Sequence, residues 1–166
     1  MPLGLEEIAV TDLERAKDVL TEILRRMGIE ATVDAREEEE RIILDVKGSE
    51  TALVIGKKGA TLDSLQFLVG RVVHRGIDSD AAGTAKPIVV DAEDYRSRRA
   101  ESLVALAHRL SEKAIRTRRV VEVDPMSAHD RRIIHLALGA VPGVMTRSEG
   151  EGAERRLLII PCRDKM

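Results

Sequence analysis

Residues 52–69 read ALVIGKKGATLDSLQFLV, so that two glycines enclose two lysines between short apolar runs. Gly56 and Gly59 mark a joint between two helices, because glycine weakens a helix interior and lets the backbone turn sharply. Without a Cβ at either position, another backbone can also approach closely. A helix starting near Ala60 offers unpaired N–H groups and the positive end of its dipole, and Lys57 and Lys58 add charge, so the loop suits an anionic phosphate chain. The same tetrad arises by chance, and a glycine often simply ends a helix, so the plain structural reading stands beside the binding one. A mononucleotide P-loop is disfavoured: no Ser or Thr follows the lysines and no G-x-x-x-x-G-K precedes them.

The rest of the chain sets this joint in a defined order. Thr11 to Glu14 reads as a capping box before a helix with apolar residues at Leu13, Ala16, Leu20, Ile23, Leu24 and Met27, stopped by Gly28. Ile29, Ala31 and Val33 alternate with polar residues, the glutamates 37–40 form a solvated turn, and Ile42, Leu44 and Val46 alternate again, predicting a strand pair. Ser49 is placed to cap a short helix running to Val54 or Ile55. Leu62, Leu65, Leu68, Val69, Val72 and Val73 give the longer helix after the glycines. Residues 76–86 read as a variable loop, and PIVVD, from Pro87, as a third strand. From Asp94 to about Thr117 a long helix is expected to link two units, with Leu103, Leu106, Leu110 and Ala114 on one face. Beyond it, RVVEVD is a short strand, Ser127 with Asp130 caps the helix AHDRRIIHLAL, and GVMTRSEG and RRLLIIP are two strands.

Composition narrows the function classes. The chain has 166 residues, 43% of them hydrophobic, enough for one sizeable core or two small ones. A net charge of −2 gives no global field toward nucleic acid or anionic lipid, so any binding charge is local. Residues 30–50 carry eight acidic and three basic side chains, whereas residues 86–119 carry nine basic and five acidic ones. Phe67 and Tyr95 are the only large aromatics, which removes the stacking platforms of RRM sheets and many OB-folds. The single Cys162 can form neither an internal disulfide nor a cysteine-based zinc cluster, and the natural compartment is a reducing cytoplasm. No apolar run approaches a membrane span, and the acidic N-terminal stretch lacks the pattern of a signal peptide. His74, His108, His129 and His135 show no metal-ligand spacing and no nucleophile has a supporting context, so neither an enzyme nor a cofactor is expected.

The order helix, strand, strand, helix, GKKG, helix, strand over residues 10–92 resembles a type II KH domain. That resemblance implies that Gly56, Lys57, Lys58 and Gly59 clamp the backbone of about four nucleotides, with bases facing an aliphatic groove. Val54, Ile55 and Leu62 are candidates for its lining, against the plainer reading of all three as core. In the second half, Arg131 and His135 stand four apart on a capped helix and so share one face. Arginine offers a planar fork to phosphate, and histidine can donate a hydrogen bond while neutral. PMSAHDRRIIHLAL followed by TRSEGEGAERRLLIIP resembles the R-three-H domain, whose named positions Arg131 and His135 fill. Arg132 is a helper by the same resemblance, and Arg147, Arg155 and Arg156 could extend the patch or remain solvated strand ends.

KH followed by R-three-H resembles the Jag/KhpB, or SpoIIIJ-associated, family over residues 10–161. The expected fold class is α+β: a KH domain over residues 1–92 with a three-stranded sheet and helices on one face, a linking helix over 93–118, and a small α/β R-three-H domain over 119–166 that the helix packs on. The resemblance implies single-stranded RNA as ligand, post-transcriptional or RNA-chaperone roles in envelope, elongation or division control, and a small single-KH partner, KhpA. Two departures stand out. Many family members carry an N-terminal domain ahead of the KH helix, and His129 occupies a position where relatives often have an aromatic residue. The alternatives are single-stranded DNA as the ligand, a protein-interaction adaptor, and a helix-turn-helix reading of duplex DNA, which the mostly apolar ATLDSLQFLVGRVV disfavours.

Overall fold

A computed structural model describes residues 11–75 and 85–162. The chain divides into two compact units, Met1–Arg96 and Ser97–Met166. In the first unit, α1 (Asp12–Arg26) opens with the expected capping box: Thr11 accepts from the Glu14 amide while the Glu14 carboxylate takes the Thr11 N–H. Gly28, at φ +74, turns the chain after the helix. Strands β1 (Thr32–Glu37) and β2 (Ile42–Lys47) pair antiparallel, and β3 (Ile88–Ala92) runs parallel to β2, giving the order β1-β2-β3. Between β2 and β3 lie α2 (Thr51–Ile55) and α3 (Ala60–Val73).

One face of the sheet, carrying Val33, Ile42, Leu44, Val46, Ile88, Val90 and Ala92, packs against Ala16, Leu20 and Leu24 of α1, Val54 of α2, and Leu62, Leu65, Val69 and Val73 of α3. The helices thus cover a single face, as a type II KH domain requires. An all-aliphatic core suffices because β-branched strand residues and leucines fill the space between sheet and helices.

Two local expectations shift. The first strand begins at Thr32 instead of Ile29, and pairing runs from Thr32–Lys47 to Glu37–Ile42, so part of the glutamate run is strand. Lys86 makes this tolerable, its Nζ lying 2.7 Å from Glu37 and 3.0 Å from the Glu38 carbonyl. Ile29 is buried under the helices without joining the ladder. Second, Ser49 does not cap α2; Glu50 holds that position and makes no capping hydrogen bond. The expected loop over residues 76–86 falls almost entirely outside the described residues.

The second unit is built on α4 (Tyr95–Thr117), whose first two residues belong to the first unit. Its buried Leu103, Ala107 and Ala114 form one core with Val123 of β4 (Val121–Val123), Ile134 and Leu138 of α5 (Ala128–Leu138), Val144 of β5 (Val144–Glu149), and Leu157 and Ile159 of β6 (Arg156–Pro161). The sheet order is β4-β6-β5, antiparallel throughout. Ser127 caps α5 by accepting from the Asp130 amide. The Asp130 carboxylate turns inward instead, 2.8 Å from Arg99 Nη2 on α4, with its side chain only 5% exposed. Helix α5 is therefore pinned to α4 by a charge pair as well as by Ile134 and Leu138.

The surface ion pairs have modest weight in water. The clearest is at the C-terminal end of α1, where Glu22 accepts from Arg25 and Arg26 at 2.7 and 2.6 Å. These hydrogen bonds lower the Glu22 carboxyl from 4.5 to about 2. A depressed carboxyl favours the folded state above its ordinary range and loses that contribution as pH falls through about 2. An NMR titration of the Glu22 carboxyl carbon should show its midpoint near 2; an ordinary midpoint near 4.5 would mean the pairs do not persist in solution.

Candidate nucleic-acid interface

The GKKG loop is a short turn with positive φ at three of its four residues. Gly56 has φ +67 and ψ −169, Lys58 has φ +55 and ψ +26, and Gly59 has φ +86. The first conformation is essentially glycine-only and the left-handed one is uncommon for a lysine, so sequence and geometry agree at the glycines while Lys58 carries strain. Packing explains both glycines as well. A Cβ on Gly56 would overlap Thr61 Oγ1, and one on Gly59 would sit 2.9 Å from Tyr95 Cε1.

Lys57 and Lys58 are exposed, and Gly59 is buried at the N-cap of α3 without any side-chain cap. The first amides of α3 therefore lack the partner that a Ser or Asp at the cap would supply. Two lysines and a helix start form one cationic corner suited to a phosphate backbone. Of the groove-lining candidates, Val54 and Leu62 are fully buried in the core and Ile55 is half-buried against it. Their core reading is the correct one. The large apolar side chain that α2 exposes is Leu53, at 58%, which its place in the continuous apolar run 52–55 did not single out.

In the second unit, Arg131 and His135 lie on α5 as the four-residue spacing requires. They differ in engagement. Arg131 is half-buried, and its Nη1 donates to the carbonyls of Met126 at 2.6 Å and Arg155 at 3.4 Å, tying α5 to the loops on either side. His135 is exposed, and its Nδ1 shares a hydrogen bond with the Thr146 hydroxyl on β5. A hydroxyl can donate or accept, so Thr146 holds the ring while leaving either tautomer available. When Thr146 donates, the neutral ring carries its proton on Nε2, which is then a donor. Arg132 is exposed beside them, as is Leu136 at 64%. Of the outlying arginines, Arg147 lies 3.4 Å from Glu149 and Arg156 2.9 Å from Glu122. Arg155 is exposed, and so is His129.

Sequence comparison agrees with both geometries. Residues 14–80 match the KhpA/KhpB KH domain family and residues 101–161 match the R-three-H domain family. The RNA-binding protein KhpB of Bacillus subtilis strain 168 is 32% identical over 152 residues, covering 90% of this chain and 71% of that protein. The chain belongs to the KhpB family. The KhpB of Clostridium symbiosum is 38% identical over 155 residues, 93% of this chain, and that of Streptococcus pneumoniae D39 is 28% identical over 161 residues, 95% of this chain. The chain spans 65% of the former and 48% of the latter. KH and R-three-H domains are binding modules and not enzymes, and no group of three or more His, Cys, Asp or Glu among the described residues could hold a metal ion. No helix among the described residues is long and apolar enough to cross a membrane.

Proposed function

We propose that this chain is a cytoplasmic, non-catalytic protein that binds single-stranded RNA through two sites, the GKKG corner and the Arg131–His135 face of α5. The observation that carries the reading is the GKKG geometry: positive-φ backbone at Gly56, Lys58 and Gly59 sets two exposed lysines beside the uncapped start of a 14-residue helix. Relatives named RNA-binding proteins support RNA as the ligand. Gly56 to Gly59 act as the backbone clamp, His135 and Arg132 meet phosphates, and Arg131 orders the second site while keeping its remaining N–H groups for the ligand. Two weak half-sites on one chain gain from effective concentration when one RNA engages both. The cellular role is post-transcriptional control, of the RNA-chaperone kind, in envelope, elongation or division pathways.

A small single-KH protein is the proposed partner. Phe67, Leu68 and Val72 of α3 are exposed at 66, 48 and 43% around Gly70, whose Cβ direction is open space. This apolar helix face also favours the second reading, a protein-interaction adaptor.

Anisotropy competition separates the two. Unlabelled single-stranded RNA should displace a labelled mixed-sequence RNA better than duplex DNA of equal length does. With about four phosphates neutralised, log K should fall against log salt with a slope near −3. A flat salt response, or equal displacement by duplex, would sink the RNA reading and leave the adaptor. Single-stranded DNA in the same assay reports whether the 2′-hydroxyl is sensed.

A further inference from the structure

We infer that Tyr95 is a positioning residue for the GKKG clamp, its ring holding the Gly59 backbone in the conformation that presents Lys57, Lys58 and the start of α3 to a phosphate chain. The inference rests on the reading of the loop as a backbone clamp.

A loop with three positive-φ residues in four, two of them glycine, has little local preference for one shape, since glycine visits many conformations at similar cost. Something outside the loop must select the one observed. Thr61 does so at the Gly56 end from within the adjoining helix. At the Gly59 end the wall is Tyr95, distant in sequence, with Cε1 2.9 Å, Oη 3.4 Å and Cζ 3.6 Å from where a Cβ of Gly59 would stand. The ring lies half-buried against the KH core, its edge occupying the space that a side chain at position 59 would need.

Tyr95 is itself held. Asp91 Oδ1 accepts the Arg96 amide at 3.2 Å, fixing the first turn of α4. The Arg96 side chain then donates to the Val90 carbonyl at 2.9 Å, to Asp63 at 2.9 Å and to Gln66 at 3.1 Å. Gln66 in turn accepts the Val90 N–H at 3.1 Å, so one clip joins the β3 edge, α3 and the residue after Tyr95. The strand that ends the KH sheet and the helix that begins at the clamp are thereby tied to the turn that carries the ring. Asp63, in the first turn of α3, is engaged by Arg96, and Tyr95 acts on the ligand through the loop that its ring walls.

Removing the wall leaves the lysines in place but makes the ligand order the loop as it binds, which weakens binding without changing which charges are engaged. The test compares wild type, Tyr95→Phe, Tyr95→Ala and Lys57→Asp plus Lys58→Asp by anisotropy with mixed-sequence single-stranded RNA over a salt series, well below each protein's melting temperature. Tyr95→Ala should bind about 10-fold more weakly by the cost of ordering the loop. Its slope of log K against log salt should stay at the wild-type value, whereas the lysine pair should flatten it by roughly 1.4, about 0.7 per phosphate. Tyr95→Phe keeps the ring edge that walls Gly59 and should bind closer to wild type than Tyr95→Ala does.

Wild-type affinity in Tyr95→Ala, with the lysine pair still impaired, would overturn the positioning role and leave the clamp standing. A flattened slope in Tyr95→Ala, or loss in Tyr95→Phe equal to that in Tyr95→Ala, would also overturn it, by making the residue a direct contact. Wild-type binding by the folded lysine variant would remove the clamp itself, and the inference with it.

Discussion

Replacing Asp130 with Ala is expected to destabilise the second unit by about 3 kcal/mol, because it breaks a buried pair and leaves its cation behind. Arg99 approaches the same carboxylate oxygen through Nη2 at 2.8 Å and Nε at 3.3 Å. Its own side chain is 25% exposed, so the stranded guanidinium regains some water, which places the effect at the low end for such pairs. Hydrogen exchange of the α5 and β6 amides reads the second unit by itself. Glu122→Ala is the control: it removes an exposed pair with Arg156 and should change stability by less than about 1 kcal/mol. Equal effects of the two substitutions would show that Asp130 does not pin α5 to α4.

Gly56→Ala is expected to cost the first unit about 2–4 kcal/mol, from backbone strain plus a contact that cannot relax. The backbone at φ +67 and ψ −169 excludes a Cβ on conformational grounds alone. The added methyl would also meet Thr61 at Oγ1, at Cβ 2.8 Å away and at the backbone N 3.1 Å away. Rotating Thr61 removes only the first of these. Adding Thr61→Ala should therefore recover part of the loss and no more. Gly70→Ala, inside α3, makes the opposite prediction: nothing outside its own helix lies within 4 Å of its Cβ direction, so the change should stabilise by about 0.5–1 kcal/mol. A Gly56→Ala protein as stable as wild type would mean that the loop takes another shape in solution.

Local chemistry made much of this fold readable. The capping box at Thr11, the cap at Ser127 and the apolar face of α1 at Ala16, Leu20 and Leu24 depend on neighbours within a few residues, and the structure holds them where the sequence places them. The buried stripe of α4, by contrast, runs through Leu103, Ala107, Ser111 and Ala114 and leaves Leu106 and Leu110 only partly buried. The misplaced strand start at Ile29 and cap at Ser49 both turn on partners distant in sequence, and at the cap position Glu50 accepts the Glu30 amide at 3.2 Å. Register in β1 is decided by pairing across to β2 and by Lys86 reaching Glu37, partners that no local pattern reveals.

The candidate site divides in the same way. Gly56, Lys57, Lys58 and Gly59 were legible because glycine and charge carry their meaning locally, as were Arg131 and His135 from helical spacing. Tyr95 and Thr146 were not, since each acts on a residue brought near only by folding, and Thr61, though local, carries no pattern that marks it as the wall of Gly56. The one signal for Tyr95 was its rarity: in a chain with one Tyr, one Phe and no Trp, an aromatic ring has a specific place to fill. Arg131 shows the converse. Its motif position suggested a ligand contact, yet part of its guanidinium is committed to the Met126 and Arg155 carbonyls.

The central claim is that Gly56 to Gly59 is a phosphate-backbone clamp, and its most direct test is anisotropy at fixed salt with labelled mixed-sequence single-stranded RNA. Wild type is compared with Lys57→Asp plus Lys58→Asp. Aspartate accepts the left-handed backbone at position 58 more readily than lysine does, so the charge reversal adds no backbone strain and circular dichroism should show a folded protein. The account predicts at least about 10-fold weaker binding by the variant, from two lost cation–phosphate contacts and the repulsion that replaces them. Equal affinity in a folded variant would contradict it and move the site to the Arg131 and His135 face of α5.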